Sequence, residues 1–337
     1  MSVTIDNIAD ITKLSKSTVS KVLRNYPDIS VETKEKVLKV VNQLGYRPNY
    51  PLAANLAGNN GPEHRTFMVN FVFYKQTRNS FLSNSYFTAV TQYIHDSFKE
   101  NGYFLLESYP ENLSEFEKLL SSTTTDGFLL LSNIDKIEPR FIDRLLYFSK
   151  LKPIVFLSNY LPGNDHQFHS VRVDNFTAGY KATVYCIQRG FKIIYFVGRF
   201  MRLAIAKDRF FGYQKAMEEA GLPPLVIRYL DDDTPDFTEF DLMCSDEIGL
   251  VGSGDAAVLH LSDYMKKKEW WRPNFHFIGI DNYPRLTKDD LREATVEVDL
   301  HSMANQAYYL FQEIIQRKAT QPKQVLVGSH VVSRTEL

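Results

Sequence analysis

The chain has 337 residues, 44% of them hydrophobic and 23% charged, and its formal net charge at pH 7 is −1. Two cysteines, Cys186 and Cys244, are too few for a disulfide framework and fit a reducing cytosol. No run of about 18 apolar residues occurs, and the amino terminus lacks the basic start and apolar core of a signal peptide. We therefore expect a cytoplasmic protein without a membrane segment.

Charge is distributed unevenly along the chain. Residues 1–60 contain eight Lys or Arg and five Asp or Glu, a net charge of +3, so the remaining residues carry −4. A basic head on a mildly acidic body suits nucleic-acid binding, although the asymmetry is modest.

The first predicted helix spans residues 5–11. Ile5, Ile8 and Ala9 repeat at the spacing of one helical face, which indicates an apolar side. Thr4 is a plausible N-cap, since its hydroxyl can accept from a free backbone N–H of the first turn. Asp6 adds a negative charge that suits a helix N-terminus.

A second helix is predicted after a short turn over residues 12–14, with Ser15 as its N-cap. Its inner face is aliphatic and consists of Val19, Val22 and Leu23. Its outer face mixes short hydroxyls with cations and has no carboxylate: Lys16, Ser17, Ser20, Lys21 and Arg24. Such a surface can approach a polyanion and donate hydrogen bonds to base edges.

A third helix is predicted from the cap Ser30 to the stop Gly45. Its inward residues are Val37, Val40, Val41 and Leu44. The spacing alone leaves open a generic three-helix subdomain whose charges are merely solvated.

Two segments of this head resemble the LacI/GalR family of bacterial transcription regulators. VTIDNIADITKLSKSTVSKVL, residues 3–23, is similar to the amino-terminal signature of that family, and ISVETKEKVLKVVNQLGYRPN, residues 29–49, to its third helix and hinge entrance. The resemblance implies a homodimer whose second helices enter two major grooves of double-stranded operator DNA. It also implies hinge helices that wedge a leucine into the central minor groove.

The resemblance assigns roles to individual positions. The base-reading positions are Lys16, Ser17 and Lys21. The positions that touch or buttress phosphates are Thr4, Ser15, Thr18, Arg24, Ser30, Tyr46 and Asn49. Leu56 matches the wedging leucine, but the hinge is one residue longer than the common spacing and begins at Pro51, so Leu52 stays an alternative. The other departures are Arg24 in place of Asn and Lys13 at a turn position where Gly is usual and positive φ is expected.

From Phe67 onward, apolar strand-like runs alternate with amphipathic helices. This alternation implies parallel sheets covered on both faces, and its length suggests two lobes. QVLVGSHVV at residues 324–332 is taken as the last strand. We predict three parts: a helix-turn-helix domain at 1–49, a hinge helix and linker at 50–61, and a two-lobed α/β domain at 62–337. Ligands of such folds bind at the carboxyl ends of the strands, in the cleft between lobes.

The family resemblance extends more weakly into this part, through TDGFLLL, SVRVDNFTAGY, DRFFGY, GDAAV and FIGIDN, and implies the periplasmic-binding-protein fold. The implied effector contacts are Arg209, Asp255, Asp174 and Phe237. Each has an ordinary alternative: a surface arginine, a helix N-cap, a strand end and a core aromatic. For Asp281, a structural role is the preferred interpretation.

No catalytic constellation, metal-ligand spacing or dinucleotide fingerprint is present, so we expect no enzyme, no metal and no cofactor. The sequence predicts a DNA-binding transcription regulator that is controlled by a sugar or sugar derivative between the lobes. A repressor is favoured over an activator. Two alternatives stay open: control by a partner protein, and a solute-binding module that does not bind DNA.

Overall fold

A computed structural model describes residues 4–23, 29–44, 65–79, 85–122, 124–131, 139–157, 165–199, 204–241, 244–282, 292–316, 319 and 321–333. Structural statements below concern these residues. The predicted hinge, residues 50–61, lies outside them.

The amino-terminal part is a three-helix unit. Its helices are α1 (Ile5–Thr12), α2 (Lys16–Leu23) and α3 (Val31–Leu44). One side chain from each helix, Ile8, Val19 and Val37, is fully buried at the point where they meet. The amphipathic spacing of the sequence therefore gave the correct inward faces.

The predicted caps and the predicted turn are confirmed. The Thr4 hydroxyl accepts from the Asn7 backbone N–H, and the Asn7 side chain accepts in turn from the Thr4 N–H at 2.8 Å, which forms a capping box. The Ser15 hydroxyl accepts from Thr18 N–H at 3.0 Å. Lys13 ends α1 in the left-handed region with φ 54°, and its N–H donates to the Ala9 carbonyl. Lysine thus occupies a conformation that glycine adopts at lower cost.

The remaining described residues form two lobes, each built on one six-stranded sheet. The helices of the first lobe are α4 (Ser85–Glu100), α5 (Leu113–Leu120), α6 (Pro139–Ser149) and α10 (Leu300–Ile315). Its strands are β1 (Met68–Val72), β2 (Phe104–Ser108), β3 (Gly127–Leu130), β4 (Ile154–Leu157), β5 (His169–Val173) and β11 (Gln324–Val327). They are all parallel, in the order β11-β5-β4-β3-β1-β2.

The second lobe repeats this plan. Its helices are α7 (Asn175–Gln188), α8 (Ala204–Glu219) and α9 (Asp255–Lys267). Its strands are β6 (Ile193–Gly198), β7 (Leu225–Arg228), β8 (Ile248–Gly252), β9 (Phe275–Ile280), β10 (Arg292–Val298) and β12 (Ser329–Ser333). The order is β12-β10-β9-β8-β6-β7. Helices cover both faces, so each lobe has two apolar clusters, as nearly continuous Val/Ile/Leu/Phe strands require.

The last predicted strand, 324–332, was wrong as a single element. It divides at Gly328 into β11, which joins the sheet of the first lobe, and β12, which joins the sheet of the second. β12 runs antiparallel to β10, so the second sheet is not entirely parallel. The apolar pattern continues through Gly328 because both halves lie at sheet edges, and periodicity alone cannot reveal a change of sheet.

The chain crosses between the lobes after β5, after β10 and at Gly328. The first two crossings share the motif Val-x-Val-Asp, at residues 171–174 and 296–299. Asp174 and Asp299 have nearly equal backbone angles, φ −73° and ψ 81° against φ −75° and ψ 80°, and each caps the helix that follows it. Their N–H groups donate to consecutive carbonyls of the third crossing, Val327 at 3.0 Å and Gly328 at 3.4 Å. The three crossings therefore form one hydrogen-bonded bundle.

Helices α7 and α8 approach closely at two glycines. A Cβ at Gly179 would lie 2.0 Å from the backbone oxygen of Arg209, and one at Gly212 would lie 2.0 Å from that of Phe176. The backbone contact fixes α8 against the first crossing, and with it the position of Arg209.

Gly179→Ala should destabilise the α/β part, because the added methyl group would meet backbone rather than a movable side chain. We expect a loss of about 1–3 kcal/mol or more in urea unfolding. Gly328→Ala is the matched control, since a Cβ there meets nothing within 4 Å. Equal stability of the two variants would contradict the proposed helix contact.

Candidate DNA-binding face and interlobe site

The outer face of α2 carries the positions that the sequence assigned to base reading. Lys16 and Ser17 are exposed, and Lys21 is half-buried. Ser15 and Thr18 lie at the start of the helix, where their hydroxyls are 2.8 Å apart. Ser30 accepts from Thr33 N–H at 3.3 Å and caps α3. The hydroxyl groups at these helix starts are thus held by capping.

Lys16 is held by a carboxylate that the sequence reading did not connect to it. Its ammonium lies 2.8 Å from the Asp6 carboxylate on α1, and both side chains are mostly exposed, at 69% and 56%. The hydrogen bond and charge of Asp6 raise the pKa of Lys16 above its ordinary value. The pair aims the Lys16 side chain along the α1–α2 edge, and a polyanion would have to compete with Asp6 for it.

Several predicted DNA contacts lie outside the described residues. These are Arg24, Tyr46, Asn49 and Leu56, together with the alternative wedge Leu52. Their roles stay predictions.

In the second lobe, Arg209 makes a buried bidentate ion pair with Asp281. The Nη2–Oδ1 distance is 2.6 Å and the Nη1–Oδ2 distance is 3.1 Å, and the side chains are 5% and 8% exposed. Nη1 also donates to the Ser253 carbonyl at 2.8 Å, and Nε donates to the Asn175 side chain at 2.9 Å. Arg209 therefore ties the ends of β8 and β9 to the first crossing.

Asp281 and its neighbour adopt unusual backbone conformations. Their φ angles are 104° for Asp281 and 52° for Asn282. Non-glycine residues in such conformations cost on the order of 1–3 kcal/mol each and are concentrated at functional sites. The Asn282 amide donates to Glu297 at 3.0 Å, so the strained turn is also tied to the end of β10.

Asp255 has a fully buried carboxylate. Arg292 lies 2.6 Å from Oδ2, and the Thr295 hydroxyl donates to Oδ1 at 2.9 Å. The alternative of an N-cap was wrong, since Gly254 occupies the cap and Asp255 is the first helical residue. The buried pair supports a structural role within the second lobe, and the predicted effector contact has no support in this geometry.

The two other predicted effector residues also have structural partners. Asp174 accepts from the Thr177 N–H at 3.0 Å and from its hydroxyl at 2.7 Å. Phe237 packs in an aromatic cluster, with its ring 5.4 Å from Trp270 and 5.9 Å from Tyr264. The described lining of the interlobe cavity includes neither residue.

A cavity of about 500 Å³ lies between the lobes beside the crossings. Helix α4 contributes Tyr86, Ala89 and Tyr93 from the first lobe. The start of α10, also in the first lobe, adds Leu300 and His301. The second lobe and the crossings supply the rest of the described lining: Asp281, Asn282, Glu297, Val298, Asp299 and His330. Its size suits a small molecule.

Most of these lining residues were missed by the sequence reading. Asp281 is the lining residue that the sequence analysis had named, with a structural role, and it is paired with the predicted effector residue Arg209. The repeated Val-x-Val-Asp motif could have indicated Asp299, since it marks the second crossing as it marks the first.

Comparisons with known proteins agree with this architecture. The model of "Bacterial regulatory proteins, lacI family" matches residues 4–49. The HTH-type transcriptional regulator MalR of Streptococcus pneumoniae is 30% identical over 224 residues, which are 65% of this chain and 63% of MalR. The match thus spans less than two thirds of that relative.

Two solved structures have the same fold over nearly the whole chain. The transcriptional regulator CelR in complex with cellobiose has a TM-score of 0.64 at 18% identity and covers 98% of both chains. The Lac repressor dimer bound to operator and the anti-inducer ONPF has a TM-score of 0.64 at 15% identity, covering 99% of this chain and 98% of its own.

The three-helix unit and the two lobes define a helix-turn-helix protein with a periplasmic-binding-protein-like α/β domain. Residues 4–49 match the lacI family of bacterial regulatory proteins, and the similarity to MalR extends over 65% of the chain. The relative MalR is named as a transcription regulator and not as an enzyme.

The described part of the chain lacks two features. None of its helices is long and apolar enough to cross a membrane. No group of three or more His, Cys, Asp or Glu residues there could hold a metal ion.

Arg209→Ala should strongly destabilise the second lobe, because it leaves the buried Asp281 carboxylate without its cation. Breaking such a pair costs about 3–5 kcal/mol, and Arg209→Ala combined with Asp281→Asn should recover a large part of the loss. Lys215→Ala on the same helix is the control, since its pair with Glu218 is exposed to solvent and contributes little to stability. Urea unfolding measures the stability of all variants. If Arg209→Ala were as stable as the parent protein, the role of the pair would be refuted.

Proposed function

We propose that the chain is a sequence-specific DNA-binding transcription regulator, a repressor, that acts in the cytoplasm and is controlled by a small molecule bound between its lobes. The observation that carries the proposal is the combination of a donor-rich α2 face with a two-lobed domain that encloses a cavity beside its crossings. Its role is regulation rather than catalysis.

The DNA-binding half of the proposal rests on α2 and on the relatives. Exposed cations and hydroxyls on a short capped helix are suited to the major groove. The Lac repressor with the same fold is a dimer bound to operator. By analogy, a homodimer of this chain would present two α2 helices to the half-sites of a double-stranded operator.

The effector half rests on the interlobe cavity. CelR with the same fold is described with cellobiose, and a LacI-family regulator of Enterococcus faecium is described with bound ribose. A sugar or sugar derivative is therefore the proposed effector class. A ligand that contacts both lobes would favour one interlobe angle, and coupling of about 1–3 kcal/mol would change operator affinity about 5- to 150-fold.

The 337-residue chain should select a near-palindromic duplex from a random DNA library, with an affinity that falls steeply as salt rises. Lys21→Ala should weaken binding. Loss of a phosphate contact would also lower the slope of log affinity against log salt concentration by about 1, whereas loss of a base contact would relax specificity at one position. Fluorescence anisotropy over a salt series measures both. Lys207→Ala on α8 is the matched control, and an affinity independent of salt would exclude the proposed function.

Asp6→Asn should have the opposite effect. It frees the Lys16 ammonium from a carboxylate 2.8 Å away, so binding to non-cognate DNA should tighten by about 3- to 10-fold while discrimination falls. Asp10→Asn on the same helix makes the same change of net charge without breaking the pair. Equal effects of the two substitutions would show that only net charge matters.

A further inference from the structure

The charges around the interlobe cavity point to a narrower class of ligand. Its described lining includes three carboxylates, Asp281, Glu297 and Asp299. The same described lining includes no Lys or Arg. The carboxylates come from the ends of β9 and β10 and from the second crossing, so the negative charge is concentrated on one wall.

Arg209, the partner of Asp281, does not reverse this charge, because its donors already have partners. Both Nη groups of Arg209 donate to the Asp281 carboxylate, and Nη1 also donates to the Ser253 carbonyl. Nε donates to the Asn175 side chain. The pair with Asp281 is close to neutral as a unit. An anionic ligand would have to displace a buried carboxylate before it could bind this guanidinium.

The other two carboxylates have no lysine or arginine partner among the described residues. Glu297 accepts from the Asn282 amide at 3.0 Å and lies 3.8 Å from His330. Asp299 accepts from the Ser302 N–H at 2.7 Å. Hydrogen bonds from the Asn282 amide and the Ser302 N–H orient these carboxylates but leave their charge in place, so the described lining of this wall carries negative charge.

The opposite wall is aromatic. Tyr86 and Tyr93 lie two turns apart on α4, and the Tyr93 ring is 42% exposed and 6.3 Å from the His301 ring in an edge arrangement. Tyrosine faces attract cations and also pack against the C–H faces of sugar rings. Carboxylates facing tyrosines suit a ligand that has both hydroxyl groups and a positive charge.

We propose that the interlobe cavity binds a polyhydroxylated amine, such as an amino sugar, with its ammonium group near Glu297 and Asp299, and that it rejects sugar phosphates. This inference rests on the proposed function and makes its effector class more specific. An ammonium group is attracted by both carboxylates and by the tyrosine faces, whereas a phosphate group is repelled by the same carboxylates.

The test is isothermal titration calorimetry of the 337-residue chain at neutral pH with matched probes. D-glucosamine, D-glucose and D-glucose 6-phosphate form one set, and the corresponding galactose compounds form a second. We expect the amine of at least one set to bind about tenfold or more tighter than its neutral sugar. The phosphate should bind more weakly than either. Tightest binding of a neutral or phosphate probe, or no binding by either amine, would overturn the proposal.

Glu297→Gln tests the residue that we place next to the ammonium. The amide oxygen can still accept from Asn282, so the turn is retained while the charge is lost. The advantage of the amine over the neutral sugar, measured within the variant, should fall by about tenfold. Glu218→Gln on the exposed face of α8 is the control and should leave the advantage intact. An unchanged preference in Glu297→Gln contradicts the assignment.

DNA binding is measured separately with the selected duplex. If the chain binds DNA but prefers neutral sugars, the proposed function stands and this inference fails. If it prefers amines but does not bind DNA, the ligand class stands and the regulatory function fails.

Discussion

The ion pair between Arg209 and Asp281 organises the part of the second lobe that faces the first. One guanidinium joins the end of β8, the turn after β9 and the start of α7, which lie far apart in sequence. Because the pair is buried, the strained conformation of the turn at Asp281 and Asn282 is held by a strong local constraint. The closeness of α7 and α8 at Gly179 and Gly212 is what allows the arginine to reach all three partners.

The pair also determines the electrostatics of the cavity. An arginine at this place in the sequence suggests a positive site for an anion or for vicinal hydroxyls. Once its carboxylate partner is included, the Arg209–Asp281 pair is nearly neutral as a unit, and the other carboxylates of the described cavity lining are Glu297 and Asp299. A single residue type thus gives a misleading impression of a site when its partner is not known.

The sequence allowed most of the elements to be predicted, and the reason is local physics. Apolar spacing placed Ile8 and Val19 inside, Thr4 and Ser15 acted as caps, and Lys13 took the positive φ expected at its turn. The connections between distant residues could not be predicted. Asp281 lies 72 residues from Arg209, and the Asp255–Arg292 pair depends on how β10 is placed beside β9. The change of sheet at Gly328 left no mark on the apolar pattern.

The three crossings restrict how the lobes can move. Two of them have the same backbone angles and are hydrogen-bonded to neighbouring carbonyls of the third, so they lie side by side at one edge of both sheets. Three nearby connections resist twisting and sliding far more than they resist bending about one line, much as several hinges on one door edge leave a single angle free. Binding in the cavity therefore acts on one variable, the opening angle between the lobes.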